Sequence, residues 1–143
     1  MRALVVDTNI VLDLLVFDDP ATAQLKAFLI RVPFAWIATQ AMRDELERVL
    51  AYPKLAARQV LQGCGAARVL AAFDAQVRQV AAAVKADVTC RDPDDQKFID
   101  LAVQHRALLV SKDRAVLEMR KRLAARGVAV MASLDAEALD PQG

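Results

Sequence analysis

The chemistry available to this sequence lies in its carboxylates. Residues 91–102, RDPDDQKFIDLA, crowd Asp92, Asp94, Asp95 and Asp100 around a helix entrance. Helix N-termini favour negative charge, so the useful test is direction, at about 100° per residue. Phe98, Ile99 and Ala102 define the buried face, and Asp95 precedes them by three, four and seven residues. Asp95 therefore shares that face, while Asp100 points away from it. Asp92 suits an N-cap, Pro93 the first helical position and Asp94 the first turn. Asp95 is left over, a carboxylate facing inward.

The same reasoning applies to QAMRDELERVL, residues 40–50, where Met42, Leu46, Val49 and Leu50 form the apolar stripe. Glu45 falls beside that stripe, whereas Asp44 and Glu47 fall toward solvent. For Glu45 taken alone, a solvated flank is the better reading. VVDTN puts Asp7 just after an apolar run, and LVSKD puts Asp113 shortly after another. Each could be a simple N-cap. Together they mark one edge, because sites in parallel α/β sheets form beyond the strands' carboxyl ends.

If such carboxylates converge, their repulsion must be offset. Two unit charges about 4 Å apart repel by roughly 4 kcal/mol at an effective dielectric near 20. A cluster must protonate or bind a cation. Oxygen-only ligands select a hard ion, Mg2+ or Mn2+. Such ions activate water for attack on phosphate. The implied reaction is phosphodiester hydrolysis.

Elements to position these groups are visible along the chain. Short β-capable runs occur at Ala3–Val6, Phe34–Ile37, Ala107–Val110 and Val128–Met131, with a weaker one at Asp87–Thr89. Helical spacing covers residues 8–17, 21–31, 40–50, 56–62, 66–85, 94–106 and 114–126. Strands alternating with helices predict an α/β fold, a parallel sheet covered on both faces. Gly63-Cys64-Gly65 breaks an inserted helical pair over 56–85, whose second helix carries Val69, Phe73, Val77, Val80 and Val84. Residues 1–133 read as one domain and 134–143 as a frayed tail.

Composition narrows the choice. At 143 residues and 56% hydrophobic the chain can bury a core without staples. Cys64 and Cys90 match no metal or redox spacing and are expected to be reduced thiols in a cytoplasmic protein. Asp7 and Asp13 interrupt any signal-peptide core, and the uncharged run from Val32 to Met42 is too short to span a bilayer. His105 is the one histidine, which excludes multi-histidine zinc sites and paired-histidine RNA cleavage. A net charge of +1 neither suggests nor excludes a polyanionic substrate.

VVDTNIVLD, ELERVL, RDPDDQKFIDLA and LLVSKD, in this order, resemble the PIN-domain family, and within it the VapC-like toxin ribonucleases. The run from Asp92 to Asp113, with Asp113 eighteen residues after Asp95, is the specific part. The family's four acidic positions fall on Asp7, Glu45, Asp95 and Asp113, and its supporting polar positions on Asn9 and Ser111. Asp92 and Asp94 match a loop signature of this branch rather than catalytic positions. Many members carry another Asp where Ala115 stands, which touches on a second metal position. The resemblance implies a three-layer α/β/α fold with a central parallel sheet of four or five strands in order 3-2-1-4-5. It also implies a metal-dependent endoribonuclease using Mg2+ or Mn2+, with Asp7 and Asp113 as main ligands and Asp95 and Glu45 ligating or positioning water. An RNA substrate, a cognate antitoxin and a homodimer follow in the same way.

Other readings are distinguishable. A PIN module retained for RNA or protein binding would bind without metal-dependent cleavage. A phosphatase of the haloacid dehalogenase type would want an Asp where Asn9 stands, and a response-regulator receiver would want a different acid spacing. Arg114, Arg120, Lys121, Arg122 and Arg126 read first as a solvated face, and Trp36 and Phe34 as strand residues packed in the core.

Overall fold

The computed structural model describes residues 2–17, 23, 25–27, 33–56 and 65–132. Five strands form one sheet: β1 (Arg2–Val6), β2 (Phe34–Ala38), β3 (Arg78–Gln79), β4 (Leu108–Val110) and β5 (Ala129–Met131), in order β3-β2-β1-β4-β5. All four pairings are parallel, with Leu4 opposite both Trp36 and Leu108. The helices are α1 (Thr8–Leu12), α2 (Gln40–Leu50), α3 (Ala66–Gln76), α4 (Gln96–His105), α5 (Arg114–Leu117) and α6 (Arg120–Ala124). This is the predicted α/β/α architecture and strand order. Among the described residues no helix is long and apolar enough to cross a membrane.

Burial on both faces explains why the central strands were so readable. Leu4, Val5 and Val6 in β1 and Leu108, Leu109 and Val110 in β4 are all buried, so their runs are continuously apolar rather than alternating. Trp36 is also buried and meets Phe73 of α3 edge-on, with ring centroids 5.6 Å apart. It packs in the core as expected.

The third strand was misplaced. The helix expected over 66–85 ends at Gln76, and Val77 is already extended. β3 follows at once, Ile37 and Ala38 pairing with Arg78 and Gln79, and Val80 N donates to Ala38 O at 2.9 Å. The open edge of β2 captures this segment, and Val77, Val80 and Val84 continue the helical spacing only by coincidence. Val84 is 78% exposed. The run at Asp87–Thr89 is no strand. Side chains satisfy its backbone instead: Lys85 Nζ donates to Ala86 O at 2.6 Å and Val88 O at 3.1 Å, and Gln96 Nε2 donates to Val88 O at 3.0 Å.

Two expected helices change character along their length. After α1 the chain widens into a π-helical turn, Asp13–Phe17. The helix expected over 114–126 divides into α5 and α6 around Glu118 and buried Met119. The helices expected over 21–31 and 56–62, Gly63-Cys64 and the tail 134–143 lie wholly or mostly outside the described residues.

Candidate functional site

The carboxyl edge of the sheet is where β1 hands over to α1 and β4 to α5. Asp7 and Asp113 occupy those two junctions as N-caps. Asp7 Oδ1 accepts from Ile10 N at 3.0 Å, and Asp113 Oδ1 accepts from Ala115 N at 3.0 Å. Capping explains the type and place of each residue. It does not use up either carboxylate.

Ser111 connects the two junctions. Its hydroxyl donates to Asp7 Oδ2 and accepts from Asp113 N, the latter at 3.1 Å. The backbone adds a tie, Asp7 N donating to Val110 O at 3.1 Å. Asp7 is 3% exposed, and burial raises its pKa more than the Ser111 and Ile10 hydrogen bonds lower it. Asp113 adds to the rise and Lys112 opposes it.

Asp95 comes from a different segment. Pro93–Asp95 form one 3-10 turn leading into α4, and Asp92 caps it, Oδ1 accepting from Asp94 N at 3.0 Å. Asp95 N donates back to Asp92 O at 3.1 Å. A 3-10 turn stacks residue i on residue i+3, so Asp92 and Asp95 share one side. Asp95 is buried, and its Oδ2 has no hydrogen-bond partner. Burial first, then Asp113 beside it, then the charges of Asp92 and Asp7 push its pKa up to about 8. One ligand oxygen from each of Asp92, Asp95 and Asp113 lies within 4.8 Å of the other two.

Asp7, Ser111, Asp113 and Asp95 are thus brought together. Glu45 is not part of this cluster in any described contact. Its Oε2, buried and like Asp95 Oδ2 without a hydrogen bond, lies in ion-pair range of Lys97 Nζ, which donates to Asp94 O at 2.7 Å. Asn9 stands exposed in the first turn of α1, and no side-chain hydrogen bond among the described residues ties it to an acid. Ala115 is buried, its carbonyl accepting from the thiol of buried Cys90 at 3.6 Å.

Sequence reasoning missed Asp92 because a cap explained it fully. The signal that could have found it is the Asp-Pro-Asp-Asp order, which places two acids three apart across a proline-started turn. It also missed Asp13, buried on the π-helical turn and paired with Lys112 Nζ at 2.6 Å. Asp100, expected in solvent, is half-buried and anchors the preceding loop by accepting from Ala86 N at 2.9 Å and Gln96 Nε2 at 2.8 Å.

A hard dication fits the donor set. Opposite oxygens around octahedral Mg2+ stand about 4.2 Å apart, twice the ordinary ligand distance. The Asp92, Asp95 and Asp113 oxygens, within 4.8 Å of one another, lie close to the spacing that one shared ion would impose. The orphaned Asp95 Oδ2 would gain a partner. No nitrogen or sulfur ligand enters.

No curated protein matches the chain by sequence. Among solved structures, it resembles VapBC2 from Rickettsia felis bound to a DNA fragment from its promoter, at TM-score 0.61 and 12% identity, covering 91% of this chain and 98% of that one. A PilT N-terminus domain protein from Sulfolobus solfataricus P2 is similar at TM-score 0.49 and 16% identity, over 95% of this chain and 91% of that one. At these identities the likeness to VapBC2 speaks for the fold alone. The sequence model of the PIN domain matches residues 3–115, most of the chain including every strand junction just described, and the chain belongs to the PIN-domain family.

Proposed function

We propose that the chain is a divalent-metal-dependent ribonuclease that hydrolyses RNA phosphodiester bonds, and that it is the toxin of a toxin–antitoxin pair. The observation that carries the chemistry is the Asp95 carboxylate, buried with an unpartnered oxygen against Asp113 and Asp92. A structural carboxylate would have a donor or a cation beside it. Among the described residues, this one has other carboxylates beside it.

Asp95 and Asp113 would hold Mg2+ or Mn2+, with Asp7 as a further acid of the site. When bound, the ion would supply charge neutralisation at the phosphate and a more acidic water. The chain's own contribution is placement. Ser111 fixes Asp7 against Asp113, and the caps at Ile10 and Ala115 fix the other oxygens. Lys112, held by Asp13, keeps a positive charge close to Asp7. Glu45 holds Lys97 as a second cation, suited to the anionic RNA backbone.

The products would carry a 5′-phosphate and a 3′-hydroxyl. The partner would be a small antitoxin, by analogy with the VapBC2 assembly that shares the fold. A homodimer and a cytoplasmic place of action complete the reading. The test is incubation of an RNA mixture with purified protein and Mn2+. Cleavage should require the metal and vanish in Asp7→Asn and Asp95→Asn. Metal-independent cleavage, or none from well-folded protein, would overturn the proposal.

A further inference from the structure

We propose that Asp92, and not Glu45, completes the metal site of this chain. The inference rests on the metal-dependent reading above but changes its ligand set. By family pattern the fourth acid is Glu45. The geometry assigns that place elsewhere.

Proximity comes first. Asp92, Asp95 and Asp113 each offer an oxygen within 4.8 Å of the others. The orphaned oxygen of Asp95 is independent evidence, because that residue is only 8% exposed and makes no compensating bond there. Local structure supplies the cause. The 3-10 turn begun by Pro93 closes with Asp95 N on Asp92 O, stacking the two side chains. Asp92 spends Oδ1 on the amide of Asp94 and has no described hydrogen bond on its second oxygen. It can cap and ligate at once.

Charge separates the two candidates further. Described ion pairs join Arg43 to Asp74, Arg91 to Glu118, Lys97 to Glu45, Lys112 to Asp13 and Arg126 to Asp87. None reaches Asp92, Asp95 or Asp113. Among the described residues those three have no ion-paired cation, whereas Glu45 has Lys97. A dication on Glu45 Oε2 would compete with the Lys97 ammonium, which the Asp94 carbonyl also holds. Among the described residues, Glu45 also stands outside the group of three whose oxygens lie within 4.8 Å of one another.

The experiment is Mn2+ binding to the full chain, followed by calorimetry and by the electron paramagnetic resonance of the bound ion. Asp92→Asn and Asp92→Ser both retain N-capping ability, so the fold is preserved while the charged ligand is lost. Each should weaken Mn2+ binding by about ten-fold or more, while Glu45→Gln stays within roughly three-fold of the unmodified protein. Asp94→Asn, which removes the same charge from the exposed neighbour, should also leave affinity nearly unchanged. The inference is overturned if Glu45→Gln loses the affinity and the Asp92 variants keep it. It is equally overturned if Asp94→Asn matches Asp92→Asn, since the effect would then be one of overall field. Absence of Mn2+ binding by the unmodified protein would sink both this inference and the metal-dependent reading. Binding with the expected variant pattern but no RNA cleavage would uphold the ligand set and overturn only the activity.

Discussion

The carboxyl edge of the sheet has two halves that treat charge in opposite ways. Beyond β2 and β3 lies a cleft of about 270 Å³ lined by Thr39, Gln40, Arg43, Asp74 and Gln79, among others. Its polar side chains are matched. Arg43 grips Asp74 through two nitrogens at 2.8 and 2.9 Å, and Gln79 donates to Gln40, which donates to Asp44. Beyond β1 and β4, Asp92, Asp95 and Asp113 crowd one another, and no described ion pair reaches them. Arg43 holds the Asp74 carboxyl below its ordinary value, whereas burial drives Asp95 far above it. Charges that serve the fold carry their partners with them. On the proposed reading, the half that lacks partners is the half kept for a ligand.

The sharpest way to break this contrast is Asp95→Asn. RNA cleavage should fall by at least about a thousand-fold, roughly 4 kcal/mol of transition-state stabilisation, while the metal-free protein becomes more stable in thermal melts at pH 8. Retained cleavage would make the acidic half structural after all. Ser111→Ala should cost about ten- to a hundred-fold in rate, because it frees Asp7 from Asp113 without removing a carboxylate. A measured kcat unchanged from the unmodified enzyme would deny the hydroxyl that role.

Stability offers a finer test. Lys112→Met strips buried Asp13 of its cation and should cost about 1–3 kcal/mol in urea denaturation, at the low end of a buried pair because Lys112 is half exposed. The pH dependence should be gentler but diagnostic. Asp95 keeps its proton in the native state up to about pH 8, while the unfolded chain releases it near the ordinary value of 3.8. The native state therefore binds more protons in between. This contribution is fully present below about pH 4 and is lost as pH rises toward 8, by at most about 1.4 kcal/mol per pH unit. Melting in EDTA from pH 5 to 8 should reveal the decline, and Mn2+ should reverse it. A flat profile would mean that Asp95 is ionised and compensated. On the matched half, Arg43→Ala should leave the melting temperature nearly unchanged, since exposed pairs contribute little.

The same contrast governs how far the sequence could be read. β1, β2, β4 and β5 were expected within a residue or so of their ends: buried β1 and β4 write continuous apolar runs, and partly buried β2 and β5 are apolar as well. β3 left no such trace. It is two exposed polar residues, and its identity is set by the edge of β2 rather than by its own composition. Asp95 was legible from its direction, and Asp7 and Asp113 from their shared edge. Glu45 was placed correctly beside its stripe, but its mate Lys97 lies 52 residues on and no local pattern announces the pair. Asp92 shows a different limit. Capping and clustering are not alternatives, since Asp7, Asp92 and Asp113 each cap a turn with one oxygen and still share the acidic edge. A satisfied local rule does not exhaust a side chain with two oxygens.

The Ser111 hydroxyl reaches Asp7 across 104 residues of chain. A ribosome therefore delivers the first acid early and its aligning hydroxyl very late. Until β4 emerges and slots in beside β1, the acids ride on separate lengths of nascent polypeptide. A chain with the proposed activity would be unarmed for most of the time its own message is being translated.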